Sequence, residues 1–230
     1  MTLAATLADD PPSERNSQPA DIAGRLEAAS LAQPVDVVAR SLLGARIVRD
    51  DGEVRRVAMI VETEAYGGPE DRASHARAGR TPRTTVMYGP AGHAYVYLVY
   101  GMHHCLNVVC GADGEAAAVL IRAVEPLAGI ETMRARRGVA AGPDLRLGAG
   151  PARTCQALDI DRALDGVDLL SDGRLWLAAP PGSSDAGAPS RIVSGPRIGV
   201  AYAGPGWIDR LWRFGIAGHA SLSRPFPQVG

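Results

Sequence analysis

Lysine is missing from this chain: all 24 basic residues are arginine. No side-chain amine is therefore present to form a Schiff base, which leaves only the α-amino group for that chemistry. Cysteine is scarce, and Cys105, Cys110 and Cys155 fit neither a disulfide framework nor a zinc or iron–sulfur spacing. Each reads as a small buried hydrophobe. Charge of one sign is not in excess: the net charge of −1 gives no global pull toward a polyanion, so nucleic-acid binding would need local patches. No apolar run approaches the roughly 18 residues that span a bilayer. Asp9, Asp10, Pro11 and Pro12 interrupt the start, which lacks the basic and apolar regions of a secretory leader, and a cytoplasmic, reducing home is the expectation.

With 230 residues, 46% hydrophobic and 21% charged, the chain has enough apolar material for one good core. Residues 1–20 are polar and aperiodic and read as a disordered tail, with a single domain over 21–230. Helical periodicity covers Asp21–Leu31 and Pro34–Leu43, with Gly44 as a stop. Two strand-like runs then meet at Asp51-Gly52 in a hairpin, the second ending near Tyr66. Residues 67–92 read as a long loop of the kind that is functional or disordered. His93–Val109 reads as two strands bent around Tyr100-Gly101-Met102, and Ala116–Val124 as a central apolar strand. Pro126 opens a helix that Gly138 ends, Gly150-Pro151 starts another, Pro180–Ser190 is a surface loop, and Arg197–Gly204 resembles a late strand. Strands arrive in hairpins rather than alternating with helices, so the expected class is α+β with a mainly antiparallel sheet.

Aromatics make up only 5% of the chain, yet five of its six tyrosines lie between Tyr66 and Tyr100. The stretch Val61–Asn107 also holds Glu62, Glu64 and most of the histidines. On a strand Glu62, Glu64 and Tyr66 share a face, with His75 on the adjoining loop. Taken alone, such acids are exposed strand-end residues; beside an aromatic wall, a carboxylate is a candidate general base toward water. Tyr97 can face Tyr66 across a slot that takes a planar heterocycle, since stacking a base on an aromatic ring contributes about 1–3 kcal/mol. Tyr100 and Met102 at the hairpin tip suit an apolar wedge of the kind that separates base steps from the minor groove; packing against another loop is the alternative. Asn107, on the return strand, reads either as a sensor of a bound base or as a backbone-pairing residue. Arg122, at a buried strand end, needs an anionic partner, whether Glu62, Glu64 or a phosphate. Arg72, Arg77, Arg80 and Arg83 line a loop segment without an acid, either a solvated surface or one facing phosphates; Arg137 joins them as a candidate DNA-surface residue. His103-His104-Cys105 is not read as a metal site, because neighbours on a strand point to opposite faces; neither metal nor cofactor is expected.

The motifs VETEAYGGPEDRASH, YVYLVYGMHHCLN, VLIRAVEPLAGIETMR and GPARTCQAL, in that order from about Leu31 to Leu222, closely resemble the alkyladenine (3-methyladenine) DNA glycosylases. The resemblance implies a curved antiparallel sheet with surrounding helices and a protruding hairpin. It implies an enzyme that flips alkylated or deaminated purines out of double-stranded DNA and hydrolyses the N-glycosidic bond. An enzyme that meets DNA through one wedge is expected to work as a monomer. By that likeness Glu64 is the base that activates water, and Arg122 helps hold that water and the target phosphate. Tyr66, His75 and Tyr97 line the base pocket, Asn107 excludes the guanine 2-amino group, and Tyr100 intercalates. His103 and His104 depart from the aromatics that relatives can carry there. A damaged-DNA binding module without catalysis, or a hydrolase of free nucleosides, are the alternative classes.

Overall fold

The computed structural model describes residues 24–180 and 191–227; the expected tail over 1–20 and nearly all of the loop Pro180–Ser190 lie outside them. Two short helices, α1 (Ala28–Leu31) and α2 (Val35–Ser41), precede the hairpin of β1 (Arg46–Asp50) and β2 (Arg55–Tyr66). A tip hairpin follows, β3 (Ala94–Val99) and β4 (His103–Cys110), then β5 (Ala117–Ala128). Helices α3 (Ile130–Arg137) and α4 (Pro151–Leu158) come next, then three short strands, β6 (Leu175–Ala178), β7 (Ile192–Gly195) and β8 (Arg213–Ile216). All pairings are antiparallel, in the order β3-β4-β5-β2-β1-β6, with β8 joining β2 to β7. The class is α+β, as the hairpin pattern predicts.

The long strand β2 explains where the acids go. It pairs with β1 over Arg55–Met59 and with β8 over Glu62–Glu64, and where the partner changes its ladder to β5 is irregular, at Ile60/Glu62 and Glu62/Thr63. Before this bulge Ala58 and Ile60 enter the main core; after it Ala65 does, and Thr63 turns its hydroxyl to Ala39 O of α2 at 2.7 Å. The irregularity thus switches parity. Without it Glu62 and Glu64 would share the helix-packed face with Ala58 and Ile60.

The main core fills that helix face with α2 and α4. The opposite face is covered by the 67–92 segment, whose short 3₁₀ turns His75–Ala78 and Thr85–Tyr88 bring Ala76 and Met87 onto Tyr95, Val109 and Ala118. The long loop is therefore a second layer.

Three expectations need correction. The first helix is only Ala28–Leu31, because Leu26 N donates to Leu177 O and Arg25 bridges Ala178, so the chain there runs along the β6 edge. Pro126 continues β5 instead of opening a helix; it sits opposite Ala58 beside a register shift, where the missing N–H does least harm. Helix α3 starts later, after Gly129 at φ 69, where a Cβ would lie 2.9 Å from Arg55 O. Arg197–Gly204 is not a strand: Gly199 and Gly204 have φ of 79 and 78, and a 3₁₀ turn spans Ala201–Ala203.

Candidate active site

One rung of the sheet organises the site. Glu64 on β2 is paired with Leu120 on β5, Leu120 with Asn107 on β4, and Asn107 with Tyr95 on β3. The next residues on the same face, Tyr66, Arg122, Cys105 and Tyr97, border a cavity of about 370 Å³. The covering layer closes it with His75, Arg83 and Met87, and the Ile198–Tyr202 segment forms a further wall. Tyr100 lies at the mouth.

Glu64 itself has no accessible surface and sits beneath this cavity. Its Oε2 accepts the Tyr66 hydroxyl at 2.8 Å and lies 3.2 Å from Arg122 Nη1, and its Oε1 accepts the Ile198 N–H at 2.7 Å. All three partners line the cavity. Burial and the neighbouring carboxylate hold the Tyr66 phenol well above its ordinary range, so it is a donor at any working pH. Arg122 bridges both acids: Nε reaches Glu62 Oε1 at 3.2 Å. Glu62 is also buried and accepts from Arg213 Nη1 at 3.4 Å, Ser223 N at 2.6 Å and Ser223 Oγ at 2.9 Å. Two carboxylates and two guanidiniums thus balance in one buried cluster. Burial opposes the charge on Arg122, but Glu64 and Glu62 outweigh it and keep the guanidinium charged.

The aromatic wall is made by β3. The Tyr95 and Tyr97 rings lie 5.3 Å apart, and His75 meets Tyr97 edge-on at 4.5 Å. Tyr66 and Tyr97 border the same cavity. His75 Nδ1 is 3.0 Å from the Tyr95 hydroxyl, and burial together with Arg83 and Arg77 lowers its pKa to about 4. At neutral pH the ring is uncharged and offers one donor and one acceptor. Asn107 Nδ2 donates to Tyr95 O at 3.0 Å, which fixes the amide and leaves its oxygen as the group able to accept from a bound ring. Burial pushes the Cys105 thiol up to about 11, so it stays protonated.

The hairpin tip is built as a projection. Tyr100 and Gly101 both have positive φ, 52 and 73, as a two-residue turn of the I′ kind requires, and Met102 N returns to Val99 O at 3.1 Å. Tyr100 is 89% exposed and Met102 69%, so the tip packs on no other loop. His103 and His104 sit opposite Val99 and Leu98 at its base.

The arginines separate. Arg72, Arg77, Arg80 and Arg83 are exposed, and among the described residues none pairs with a carboxylate. Arg83 is set apart from the other three: it borders the cavity, lies over the Tyr97 ring at 5.2 Å and approaches His75 Nε2 at 3.5 Å. Arg77 stacks on Tyr202 at 5.0 Å and Arg80 on Tyr88 at 5.7 Å. Arg137 is half-buried and bonds Gln156. A larger cavity of about 720 Å³, lined by Arg146, His219, Ser223 and Phe226 among others, contains none of the residues singled out from sequence.

Sequence reasoning missed Ile198 and Tyr202, which sit in the segment read as a strand, and Cys105, read only as a core residue. For Cys105 the signal was available, since it shares strand parity with Asn107. Nothing local marks Ile198, whose contribution is a backbone N–H.

Fold and site together define an α+β protein with an aromatic, ring-sized pocket over a buried acid. The chain belongs to the methylpurine-DNA glycosylase family (MPG), whose profile matches residues 29–220. It is 48% identical over 204 residues to a provisionally named 3-methyladenine DNA glycosylase of Anaeromyxobacter dehalogenans strain 2CP-C, covering 88% of each chain. A similarly named protein of Myxococcus xanthus strain DK1622 is 50% identical over 199 residues, 85% of this chain and 92% of that one. The DNA-3-methyladenine glycosylase of Mus musculus is 44% identical over 218 residues, 90% of this chain and 63% of the mouse protein.

Proposed function

We propose that this protein is a monofunctional DNA glycosylase that takes alkylated or deaminated purines out of duplex DNA and hydrolyses their N-glycosidic bond. The observation that carries the reading is the buried Glu64 carboxylate, held by three groups that all line an aromatic pocket. The flipped purine lies between Tyr66 and Tyr97, with the neutral His75 and the Asn107 amide reading its edge. Tyr100 fills the gap left in the stack, and the unpaired arginines of the 67–92 layer meet phosphates.

Glu64 has no accessible surface, so water reaches its carboxylate from the cavity only as Tyr66 or Arg122, the groups holding Oε2, gives way. The carboxylate takes the water's proton as the oxygen attacks C1′, and the electron pair of the broken C1′–N bond leaves on the purine. Alkylation, deamination or, for neutral lesions, protonation within the site makes that purine a good leaving group, so one acid suffices where other glycoside hydrolases use two. The absence of a lysine side chain favours hydrolysis that leaves the strand uncut over a Schiff-base lyase, for which only the α-amino group is left.

The test is a duplex carrying hypoxanthine or etheno-adenine, incubated with wild-type protein and with Glu64→Gln. Wild type should leave alkali-labile sites without direct nicks, and the variant should fall by about 10²–10⁴-fold. Equal activity in the variant removes Glu64 from the role. Tight lesion binding without release of any base returns the protein to a damage-binding module.

A further inference from the structure

Arg197 is buried and far from the motifs of the sequence, yet its contacts converge on the site. Nη1 and Nη2 grip Asp71 in a two-point fork, at 2.5 Å to Oδ2 and 2.9 Å to Oδ1. Asp71 in turn accepts Gly67 N and Ala73 N, both at 3.0 Å, and so shapes the loop that delivers His75. Nη1 also donates at 2.9 Å to Ala65 O, the carbonyl of the residue between Glu64 and Tyr66. The guanidinium lies over the rings of Tyr66 at 4.9 Å and Trp212 at 5.2 Å. The next residue, Ile198, gives its N–H to Glu64.

Resting on the reading of the site given above, we propose that Arg197 is a positioning residue of the glycosylase reaction. One planar group sets the ring of Tyr66, the approach of His75 and the backbone donor of Glu64, a combination that requires an arginine. A lysine ammonium is a compact point charge and cannot fork onto both Asp71 oxygens while reaching two rings. A bland buried ion pair would hold only the fold, and its loss would change stability alone.

The experiment separates these roles with Arg197→Met, Arg197→Lys and the double variant Asp71→Asn/Arg197→Met, which removes both buried charges. Single-turnover base release is measured at saturating enzyme, beside affinity for undamaged duplex and thermal unfolding. Positioning predicts a rate loss of about 10²-fold in Arg197→Met, as misplacement near 1 Å produces, with duplex affinity held within about threefold. Arg197→Lys should recover part of the rate. The double variant should regain melting temperature without regaining rate; recovery of both together overturns the proposal. Should Arg197→Met not fold, the lysine and double variants carry the same comparison. An independent arm is the crystal structure of a folded variant, in which the Ile198 N–Glu64 Oε1 contact should be broken. A retained contact near 2.7 Å overturns the proposal whether or not the enzyme is active. Wild-type protein that releases no base counts against the proposed function, while this arm still decides the role of Arg197.

Discussion

The Tyr66 hydroxyl donates to Glu64 Oε2 at 2.8 Å, so the residue that walls the pocket also holds the acid beneath it. Ring and hydroxyl can be separated by Tyr66→Phe. The ring keeps its stacking surface, so affinity for a lesion duplex should stay within about threefold. The carboxylate loses one fixed donor and its orientation, and the single-turnover rate should fall by about tenfold. A loss confined to affinity, with the rate intact, would show that the hydroxyl is idle in catalysis.

Arg122 joins the two acids and is the cation nearest both. In Arg122→Met, Glu62 keeps Arg213 and the Ser223 donors, but Glu64 is left buried without a cationic partner. Removing one member of a buried ion cluster costs about 3–5 kcal/mol. Urea unfolding should register that loss, and base release should fall with it. A stability change below about 1 kcal/mol would mean that the cluster relaxes by admitting water.

His75 gives a pH dependence with a definite sign. Its folded pKa is about 4, lowered first by burial and then by Arg83 and Arg77, against an ordinary value of 6.5. Between those values the unfolded chain binds a proton that the folded ring refuses. Its contribution is therefore fully present above pH 6.5 and is lost as pH falls toward 4. Wild type should lose more stability than His75→Gln over that interval, measured by urea unfolding at several pH values. Parallel pH profiles for the two proteins would contradict the assignment.

Much of this was legible beforehand, and the reasons differ by residue. Asp51-Gly52 and Tyr100-Gly101 mark their hairpins because the turn chemistry is local. The shared face of Tyr95 and Tyr97 follows from the period of a strand. The common face of Glu62 and Glu64 was also readable, but which face was not, since the bulge that reverses parity at Glu62 leaves no trace in residue types. Strands β6, β7 and β8 are four residues each and owe their existence to partners far along the chain. Ile198 and Arg197 act through a backbone N–H and a long-range fork, and neither has a sequence period to betray it.

Tyr100 makes the opposite kind of prediction, a substitution that should help the fold and harm the function. Its φ of 52 is unusual for a residue with a Cβ, and with 89% of its surface exposed it contributes little burial in return. Asparagine tolerates the left-handed region far better, so Tyr100→Asn should raise stability by roughly 0.5–1 kcal/mol. The same change removes the ring proposed to enter the duplex, and affinity for lesion DNA should drop by at least about fivefold, since stacking a base on an aromatic ring is worth about 1–3 kcal/mol. Strain kept at an exposed tip has a reason when the strained side chain does the work. Thermal unfolding and duplex binding of the one variant check both halves. A variant that gains stability and binds lesion DNA as well as wild type would leave the wedge without support.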